Sequence, residues 1–258
     1  MTQVIHTPNF RVDGKRALIT GGSRGIGLAA AFALGQAGAD VVIAARDQGG
    51  LDEAKKNLCA NGLDEASINA VVLDVTDAHA VQQTIAALGP IHVLVNNAGG
   101  NRGGLLKDKT AADIEAVLRL NVTSSMLVSQ VVIQGLVDAG ERGSIINLSS
   151  QYGHIGSAER TLYSAAKHAV EGYTKSLAWE VGSLGIRVNT VAPSMIETDM
   201  TRERLSQPGV REGFAQKSAL GRIGYPQDLA GAIVFLASDA AAYITGSCIH
   251  VDGGTTAV

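Results

Sequence analysis

Short aliphatic runs alternate with longer helical stretches along the whole chain. The runs lack the strict polar alternation of a half-exposed strand, which is typical of parallel strands covered by helices on both faces. They are Ala17–Thr20, Val41–Ala44, Ala70–Leu73, Val93–Asn96, Ser144–Leu148, Arg187–Val191 and Ile249–Val251. The helical stretches are Ile26–Ala37, Leu51–Asn61, Ala78–Leu88, Ala111–Ala139, Tyr163–Gly182 and Pro226–Ala237. This order predicts an α/β fold with one doubly wound, seven-stranded parallel sheet and helices on both faces.

Composition indicates one core-rich domain over residues 1–258, with residues 1–14 as an N-terminal arm. Of the 258 residues 46% are hydrophobic and 17% charged, and no linker or repeat divides them. With 21 basic and 24 acidic side chains, the chain offers no charged surface for nucleic acid or an anionic membrane. No uninterrupted apolar run approaches the length of a membrane span. Two distant cysteines, Cys59 and Cys248, and six histidines without paired spacing predict no disulfide framework, no metal site and a reduced, cytoplasmic protein.

A glycine-rich turn follows the first strand. The sequence from Gly21 to Gly27 reads GGSRGIG, and an alanine-rich helix comes directly after it. Glycines allow a sharp turn and let backbone N–H groups approach a pyrophosphate at a helix N-terminus. A tight turn without a ligand is the alternative, but strand, loop and helix come in the order that phosphate binding requires. The turn therefore predicts a dinucleotide site.

Three motifs, in this order along the chain, resemble those of the short-chain dehydrogenase/reductase family. They are the spacing T-G-x-x-x-G-x-G from Thr20, the segment Asn96-Asn97-Ala98-Gly99, and Tyr163-Ser164-Ala165-Ala166-Lys167. The resemblance runs from Lys15 to Gly254, and it implies a Rossmann-type domain and an NAD(P)-dependent oxidoreductase that interconverts a ketone and a secondary alcohol. Ser194 departs from the pattern, because the family usually has glycine after this proline. We therefore expect a stiffer loop there.

Tyr163 and Lys167 are four residues apart, so a helix places them on the same face. A lysine cation favours the phenolate of a nearby tyrosine, which brings the phenol toward useful acid–base chemistry. The resemblance implies that Ser150 polarises the substrate carbonyl and that Asn121 holds a water linking Lys167 to solvent. Taken singly, an incidental Tyr–Lys pair and a satisfied buried asparagine are the alternatives. Reduction of a C=C bond is disfavoured, because that branch of the family spaces its tyrosine and lysine more widely.

Charge at the second strand bears on the choice of cofactor. Enzymes that prefer NAD place a carboxylate there against the ribose 2′-hydroxyl, whereas this chain has Ala45 followed by Arg46. With Arg24 in the glycine turn, two guanidinium groups suit a 2′-phosphate, which predicts NADPH/NADP⁺. The alternative is that both arginines are solvated and Asp47 neutralises Arg46. The resemblance implies these cofactor-binding residues: Gly21, Ser23, Arg24, Gly25, Ile26, Gly27, Arg46, Asp74, Val75, Asn97, Ala98, Gly99, Tyr163, Lys167, Pro193, Ile196 and Thr198.

Loops at the carboxyl ends of the strands are expected to hold the substrate. The loop after Ser150 and the segment 194–217 would form the pocket wall and a lid. Their candidate contacts are Gln151, His154, Arg160 and Met195, although solvent exposure explains the polar ones equally well.

The chain is similar both to 3-oxoacyl-carrier-protein reductases and to gluconate 5-dehydrogenase-like members of the family. A small carbonyl, a sugar acid and a 3-oxoacyl group therefore remain possible substrates. An NAD(H)-preferring polyol or sugar-acid dehydrogenase is one alternative function. A non-catalytic nucleotide-binding scaffold is another, but it would be expected to lack one of the four catalytic residues. The family also implies a homotetramer.

Overall fold

The computed structural model describes residues 7–257, so residues 1–6 of the predicted arm lie outside it. Seven strands form one sheet in the order β3-β2-β1-β4-β5-β6-β7, and every pairing is parallel. The predicted α/β class is confirmed. The strands are β1 (Arg16–Thr20), β2 (Asp40–Ala45), β3 (Ile68–Val72), β4 (Val93–Asn96), β5 (Gly143–Leu148), β6 (Ile186–Pro193) and β7 (Cys248–Val251).

Helices connect the strands and cover both faces of the sheet. They are α1 (Gly25–Gln36), α2 (Gln48–Ala60), α3 (Ala78–Ala87), α4 (Ala111–Leu118), α5 (Ser124–Ala139), α6 (Thr161–Val181), α7 (Asp199–Leu205), α8 (Val210–Ala215) and α9 (Pro226–Ala237). A π-helical turn, Arg119–Thr123, interrupts the helix predicted over Ala111–Ala139. The short helices α7 and α8 were not predicted, because segments of seven and six residues carry little periodic signal.

Two hydrophobic clusters, one on each face of the sheet, form the core. Neighbouring residues of β1 point to opposite faces: Ala17 and Ile19 pack into the cluster with α1, α2 and α9, and Leu18 into the cluster with α3, α5 and α6. All three side chains are fully buried. A strand buried on both faces needs apolar residues at every position, which explains the continuous aliphatic runs.

The helical stretch Ala111–Ala139 is long and apolar enough to cross a membrane by length and composition, with a mean hydropathy of 1.4 in its most apolar window. The sequence analysis, which considered only uninterrupted apolar runs, did not identify this stretch as long enough to span a membrane, because scattered polar residues interrupt it. Nearly half of that window, 44%, is buried inside the protein. Val128, Val132 and Leu136 pack into the core beside α3 and the sheet, so we interpret the stretch as a core helix.

The strand order reverses between β1 and β4, which are neighbours in the sheet although they are not consecutive in the chain. Connections from β1 and β4 therefore leave toward opposite sides and open a crevice at the carboxyl ends of the strands. Parallel α/β sheets bind their ligands at such a switch point. Both the glycine turn and the Asn96–Gly99 segment lie there.

Candidate active site

The glycine turn joins β1 to the N-terminus of α1. Gly21 and Gly25 have φ values of +64° and +55°, in the left-handed region that glycine adopts without strain. A Cβ atom at Gly27 would overlap the carbonyl oxygen of Gly21 and lie 2.6 Å from Nδ2 of Asn97. No side chain caps α1, and its first turn carries no acidic residue. Its free N–H groups and compact glycine backbone therefore fit the pyrophosphate of a dinucleotide.

Asn97 and Thr20 hold the crevice in shape. Nδ2 of Asn97 donates to the carbonyl oxygens of Thr20 (2.9 Å) and Gly21 (3.0 Å). Oγ1 of Thr20 accepts hydrogen bonds from the backbone N–H groups of Asn97 and Ala98, both at 3.1 Å. The side chain of Asn97 thus positions the glycine turn, and contact with the adenosine remains a prediction for the backbone of the 97–99 segment.

The loop after β3 presents an oriented carboxylate. Oδ1 of Asp74 accepts hydrogen bonds from the backbone N–H (2.9 Å) and hydroxyl (2.7 Å) of Thr76. These bonds, with Arg46 and Arg119 nearby, hold the pKa of Asp74 below its ordinary value. Asp77, not Asp74, caps α3. Asp74 therefore does not cap the following helix, and Val75 lies buried beside it.

Tyr163 and Lys167 lie on one face of α6, with the Lys167 Nζ 5.5 Å from the centroid of the Tyr163 ring. Burial raises the pKa of Tyr163 to about 12, although the neighbouring Ser150 hydroxyl and Arg160 act to lower it. Burial also lowers the pKa of Lys167 to about 8. The expected lowering of the Tyr163 pKa by Lys167 is therefore not found. Nζ of Lys167 instead donates to the carbonyl oxygen of Leu148 at 2.7 Å, and loss of solvent dominates both groups.

Ser150 and Asn121 complete the predicted catalytic set. Ser150 follows β5 and is buried beside Tyr163. Asn121 lies in the π-helical turn, where Nδ2 donates to the carbonyl oxygens of Gly100 (2.8 Å) and Val117 (2.9 Å). A Cβ atom at Gly99 would lie 2.9 Å from Oδ1 of Asn121 and 3.8 Å from Nζ of Lys167. The fold thus gathers all four residues around the end of β4 and β5.

The predicted lid begins where β6 ends. Oγ of Ser194 donates to the carbonyl oxygen of Asp252 at 3.1 Å, a bond that glycine could not make. Ile196 is buried and pairs with Gly224, and Thr198 lies against the glycine turn, 3.3 Å from where a Cβ of Gly25 would be. The start of the lid is therefore fastened to both the last strand region and the dinucleotide crevice.

The comparisons with known proteins agree with this geometry. A sequence model of a protein family, described as enoyl-(acyl carrier protein) reductase, matches residues 21–256. The 3-oxoacyl-[acyl-carrier-protein] reductase of Pseudomonas aeruginosa is 42% identical over 94% of this chain and 98% of that protein. The gluconate 5-dehydrogenase of Gluconobacter oxydans is 36% identical over 97% and 98%, respectively. The chain belongs to the short-chain dehydrogenase/reductase family.

A solved structure of this family extends the likeness to three dimensions. The gluconate 5-dehydrogenase from Burkholderia cenocepacia, crystallised in complex with NADP and tartrate, matches with a TM-score of 0.90 and 34% identity over 96% of this chain and 98% of that chain. This chain is a short-chain dehydrogenase/reductase that uses a nicotinamide cofactor and acts on CH–OH or C=O groups. The family model carries the name of a C=C reductase, whereas both curated relatives act on alcohol or carbonyl groups by name.

The structure does not bring all four candidate substrate residues together beside Ser150 and Tyr163. Gln151 is buried beside Ser150, and its Oε1 has no partner among the described residues. Arg160 is close enough to Tyr163 to act on its pKa. The ring of His154 turns away to Glu171 (3.1 Å) and Cys248 (3.4 Å). Met195 lies at the start of the lid, where its carbonyl oxygen accepts a hydrogen bond from Gly224.

Two features of this short-chain dehydrogenase/reductase were missed in the sequence. Thr20 ends β1 directly before the glycine turn, and its position was a usable signal for the two hydrogen bonds it accepts. The approach of His154, Cys248 and His250 to one another had no such signal, since residue 154 is far in sequence from the other two. The prediction of no metal site rested on spacing along the sequence, which cannot reveal a cluster formed by distant residues.

Proposed function

We propose that this chain interconverts a ketone and a secondary alcohol with NADP(H), and that Tyr163 is the proton donor and acceptor. The observation that carries the proposal is the half-buried phenol of Tyr163 beside Ser150, with Lys167 one helical turn away. A phenol whose pKa is about 12 holds its proton at neutral pH. It is therefore ready to protonate an alkoxide as that charge develops on a carbonyl oxygen.

Each residue of the set has a role in the proposed reaction. Bound NADP(H) supplies or accepts the hydride. Ser150 donates a hydrogen bond to the substrate oxygen, and Tyr163 gives that oxygen its proton during reduction, which leaves a phenolate. Oxidation is the reverse of this step, in which the Tyr163 phenolate accepts the alcohol proton. Lys167, whose pKa of about 8 lies near neutrality, places a positive charge beside the phenol. Asn121 fixes the backbone of Gly100, which follows Gly99 near Lys167, and the family resemblance adds a water between Lys167 and solvent.

The preference for NADP(H) is supported by the surroundings of Arg46. The carboxylate of Asp47 accepts a hydrogen bond from the backbone N–H of Gly50 at 2.7 Å and caps α2. Among the described residues it forms no hydrogen bond to Arg46, although Arg46 lies close enough to Asp74 to lower the pKa of that carboxyl. Together with Arg24 in the glycine turn, Arg46 would bind a 2′-phosphate through charge-assisted hydrogen bonds.

The cofactor preference has a direct test. We expect a lower dissociation constant for NADPH than for NADH, and we expect Arg46→Ala to weaken NADPH binding by roughly 10- to 100-fold, since a hydrogen bond to a charged group contributes about 1.5–3 kcal/mol. NADH binding, which lacks the phosphate contact, should change little and is the control. Tighter binding of NADH than of NADPH in the wild type would contradict the assignment and favour the NAD(H)-dependent alternative.

Candidate substrates are a small carbonyl compound, a sugar acid or a 3-oxoacyl group. The names of the relatives support the last two classes, and Arg160 near Tyr163 offers a cation for a carboxylate. Gln151 offers a buried amide oxygen for a hydroxyl group. A panel of ketones, keto-sugar acids and 3-oxoacyl thioesters, assayed with NADPH, separates these classes. NADPH binding without turnover of any of them would favour the non-catalytic scaffold.

We also propose a homotetramer in the cytoplasm. The tetramer follows the family resemblance, and Trp179 on α6 and Tyr243 before β7 are exposed apolar side chains that an interface would cover. Light scattering would measure a mass near four chains, whereas a monomer would contradict the proposal. The two cysteines are free thiols in the described structure, which fits a reducing compartment.

Tyr163→Phe tests the chemistry. Removing the phenolic hydroxyl deletes the proton donor, so we expect turnover to fall by roughly 10²–10⁴-fold while NADPH binding is largely retained. Tyr152→Phe is the matched control, because its ring packs edge-on against Tyr163 with a centroid distance of 6.3 Å. Steady-state rates and cofactor fluorescence titration measure the two properties. Comparable turnover in Tyr163→Phe and wild type would refute the role of Tyr163.

A further inference from the structure

Two histidines and a cysteine meet at the edge of the sheet, outside the proposed catalytic set. Cys248 and His250 are two residues apart on β7 and therefore point to the same face of the sheet. His154, from the loop that follows β5, lies over them, and the ring centroids of the two histidines are 4.4 Å apart. One potential ligand atom from each of the three residues lies within 4.8 Å of the other two.

A carboxylate from α6 lies next to His154 of this cluster. Oε1 of Glu171 lies 3.1 Å from Nε2 of His154, and its Oε2 accepts a hydrogen bond from Oγ1 of Thr190 at 3.0 Å. The carboxylate is almost fully buried, with 8% of the side chain exposed. A buried carboxylate needs a cationic or hydrogen-bonding partner, and here it faces imidazole and thiol groups that can both become metal ligands.

The distances suit a small tetrahedral cation. Zinc bonds of about 2.0–2.1 Å to nitrogen and about 2.3 Å to sulfur place neighbouring ligand atoms roughly 3.5 Å apart in a tetrahedron. Nε2 of His154 and Sγ of Cys248 are 3.4 Å apart, and Nε2 of His154 and Oε1 of Glu171 are 3.1 Å apart. Mixed nitrogen and sulfur donors select zinc over magnesium or calcium, which prefer oxygen.

We propose that His154, Cys248 and His250, with Glu171 as the fourth donor, bind Zn²⁺. The site ties the edge strand β7 to α6 and to the loop after β5. Thr190 is a positioning residue, because its hydroxyl fixes the carboxylate of Glu171 from the neighbouring strand β6. Binding of Zn²⁺ releases the thiol proton of Cys248 to solvent and leaves a thiolate as the ligand.

Zinc titration of the full chain tests the stoichiometry and the ligands. After dialysis against a chelator, the wild type should bind one Zn²⁺ per chain, measured by competition with a chromophoric chelator. Cys248→Ser should lose more than the roughly 10–100-fold in affinity that is typical of an outer-shell substitution. Cys59→Ser, which removes the other free thiol, is the matched control and should bind like the wild type. No binding by the wild type, or equal binding by the two serine variants, would overturn the proposal.

Cobalt substitution gives a readout that is independent of affinity and of enzyme activity. Co²⁺ should give a thiolate charge-transfer band and the intense visible bands of tetrahedral coordination in the wild type and in Cys59→Ser. The charge-transfer band should disappear in Cys248→Ser. His154→Gln, in an exposed loop, serves as a second variant if Cys248→Ser does not fold, and it should weaken the tetrahedral bands. A spectrum of octahedral cobalt, or a charge-transfer band that survives in Cys248→Ser, would contradict the site.

Discussion

At position 27, next to the dinucleotide crevice, there is no room for a side chain. The missing Cβ of Gly27 leaves room for the carbonyl oxygen of Gly21 and the amide of Asn97, which together shape the turn. The requirement comes from close packing, because Gly27 itself has no positive φ. Gly135 in α5 is different, since a Cβ there would meet no atom within 4 Å.

Gly27→Ala and Gly135→Ala therefore form a matched pair. We expect Gly27→Ala to lower the free energy of unfolding by about 1–3 kcal/mol through overpacking and to weaken NADPH binding, because the turn must shift. Gly135→Ala should raise stability by about 0.5–1 kcal/mol, since alanine loses less conformational entropy within a helix. Urea unfolding and NADPH titration measure both effects. Wild-type NADPH affinity in Gly27→Ala would contradict this account of the turn.

Burial of the charged Lys167 side chain lowers the free energy of unfolding, and this effect should depend on pH. The pKa of Lys167 is about 8 in the folded protein, below the ordinary value of 10.5, so between these values the unfolded chain binds more protons than the folded one. Stability contributed by this group therefore rises with pH across that window. Relative to Lys167→Met, the wild type should gain on the order of 2 kcal/mol between pH 8 and about 10.

Chemical unfolding of both proteins at several pH values measures this difference. The comparison stays below pH 10, because the raised pKa of Tyr163 makes stability fall with pH above its ordinary value of 10.0. A constant difference between wild type and Lys167→Met would show that Lys167 is not desolvated as the structure indicates.

Among the longer elements, the start of the predicted lid is held to the C-terminal region by side-chain hydrogen bonds. The Ser194 hydroxyl bonds to Asp252, and the carboxylate of Asp252 in turn accepts hydrogen bonds from the N–H groups of Gly254 (2.9 Å) and Thr256 (3.0 Å). The segment after β6 is thus held against the C-terminal turn. Farther along, Glu197 and Arg211 form an ion pair at 2.7 Å that joins the start of the predicted lid to α8 within the same segment.

Ser194→Ala and Ser194→Gly separate the hydrogen bond from backbone freedom. We expect Ser194→Ala to lose about 0.5–1.5 kcal/mol of local stability, and Ser194→Gly a further 0.4–1 kcal/mol through the entropy of the unfolded chain. Hydrogen exchange over residues 194–217 should accelerate in that order. Ser206→Ala is the control, because among the described residues the Ser206 hydroxyl donates only to the carbonyl oxygen of Glu203. Equal exchange in all variants would show that the bond to Asp252 does not stiffen the lid.

At the scale of the molecule, the sheet order decides which residues meet. β1 and β4 are adjacent, so the glycine turn and the Asn97 segment brace each other although more than seventy positions separate them in sequence. β5, β6 and β7 are likewise neighbours, and α6 packs against the middle strand, β6. This arrangement puts the Tyr163 site and the His154–Cys248–His250 cluster on the same helix side of the sheet, joined by α6.

Local patterns in the sequence determined the fold class, the seven strands, the glycine turn and the spacing of Tyr163 and Lys167. These features depend on residues close together in the chain, whose periodicity or spacing carries the information. The π-helical turn at Asn121 was not predictable in this way, because tertiary contacts can override local preference. The short helices α7 and α8 were missed because segments of seven and six residues carry little periodic signal.

Only the tertiary structure decided the protonation and pairing of the polar groups. Burial raises the pKa of Tyr163 and lowers that of Lys167, and burial is a property of the whole packed core rather than of a motif. The partner of His154 was equally undetermined, because Glu171 and Cys248 reach it from another helix and from the last strand. The sequence determines which polar and titratable side chains are present. The packing of distant segments in the fold sets the distances of a few ångströms at which these side chains interact.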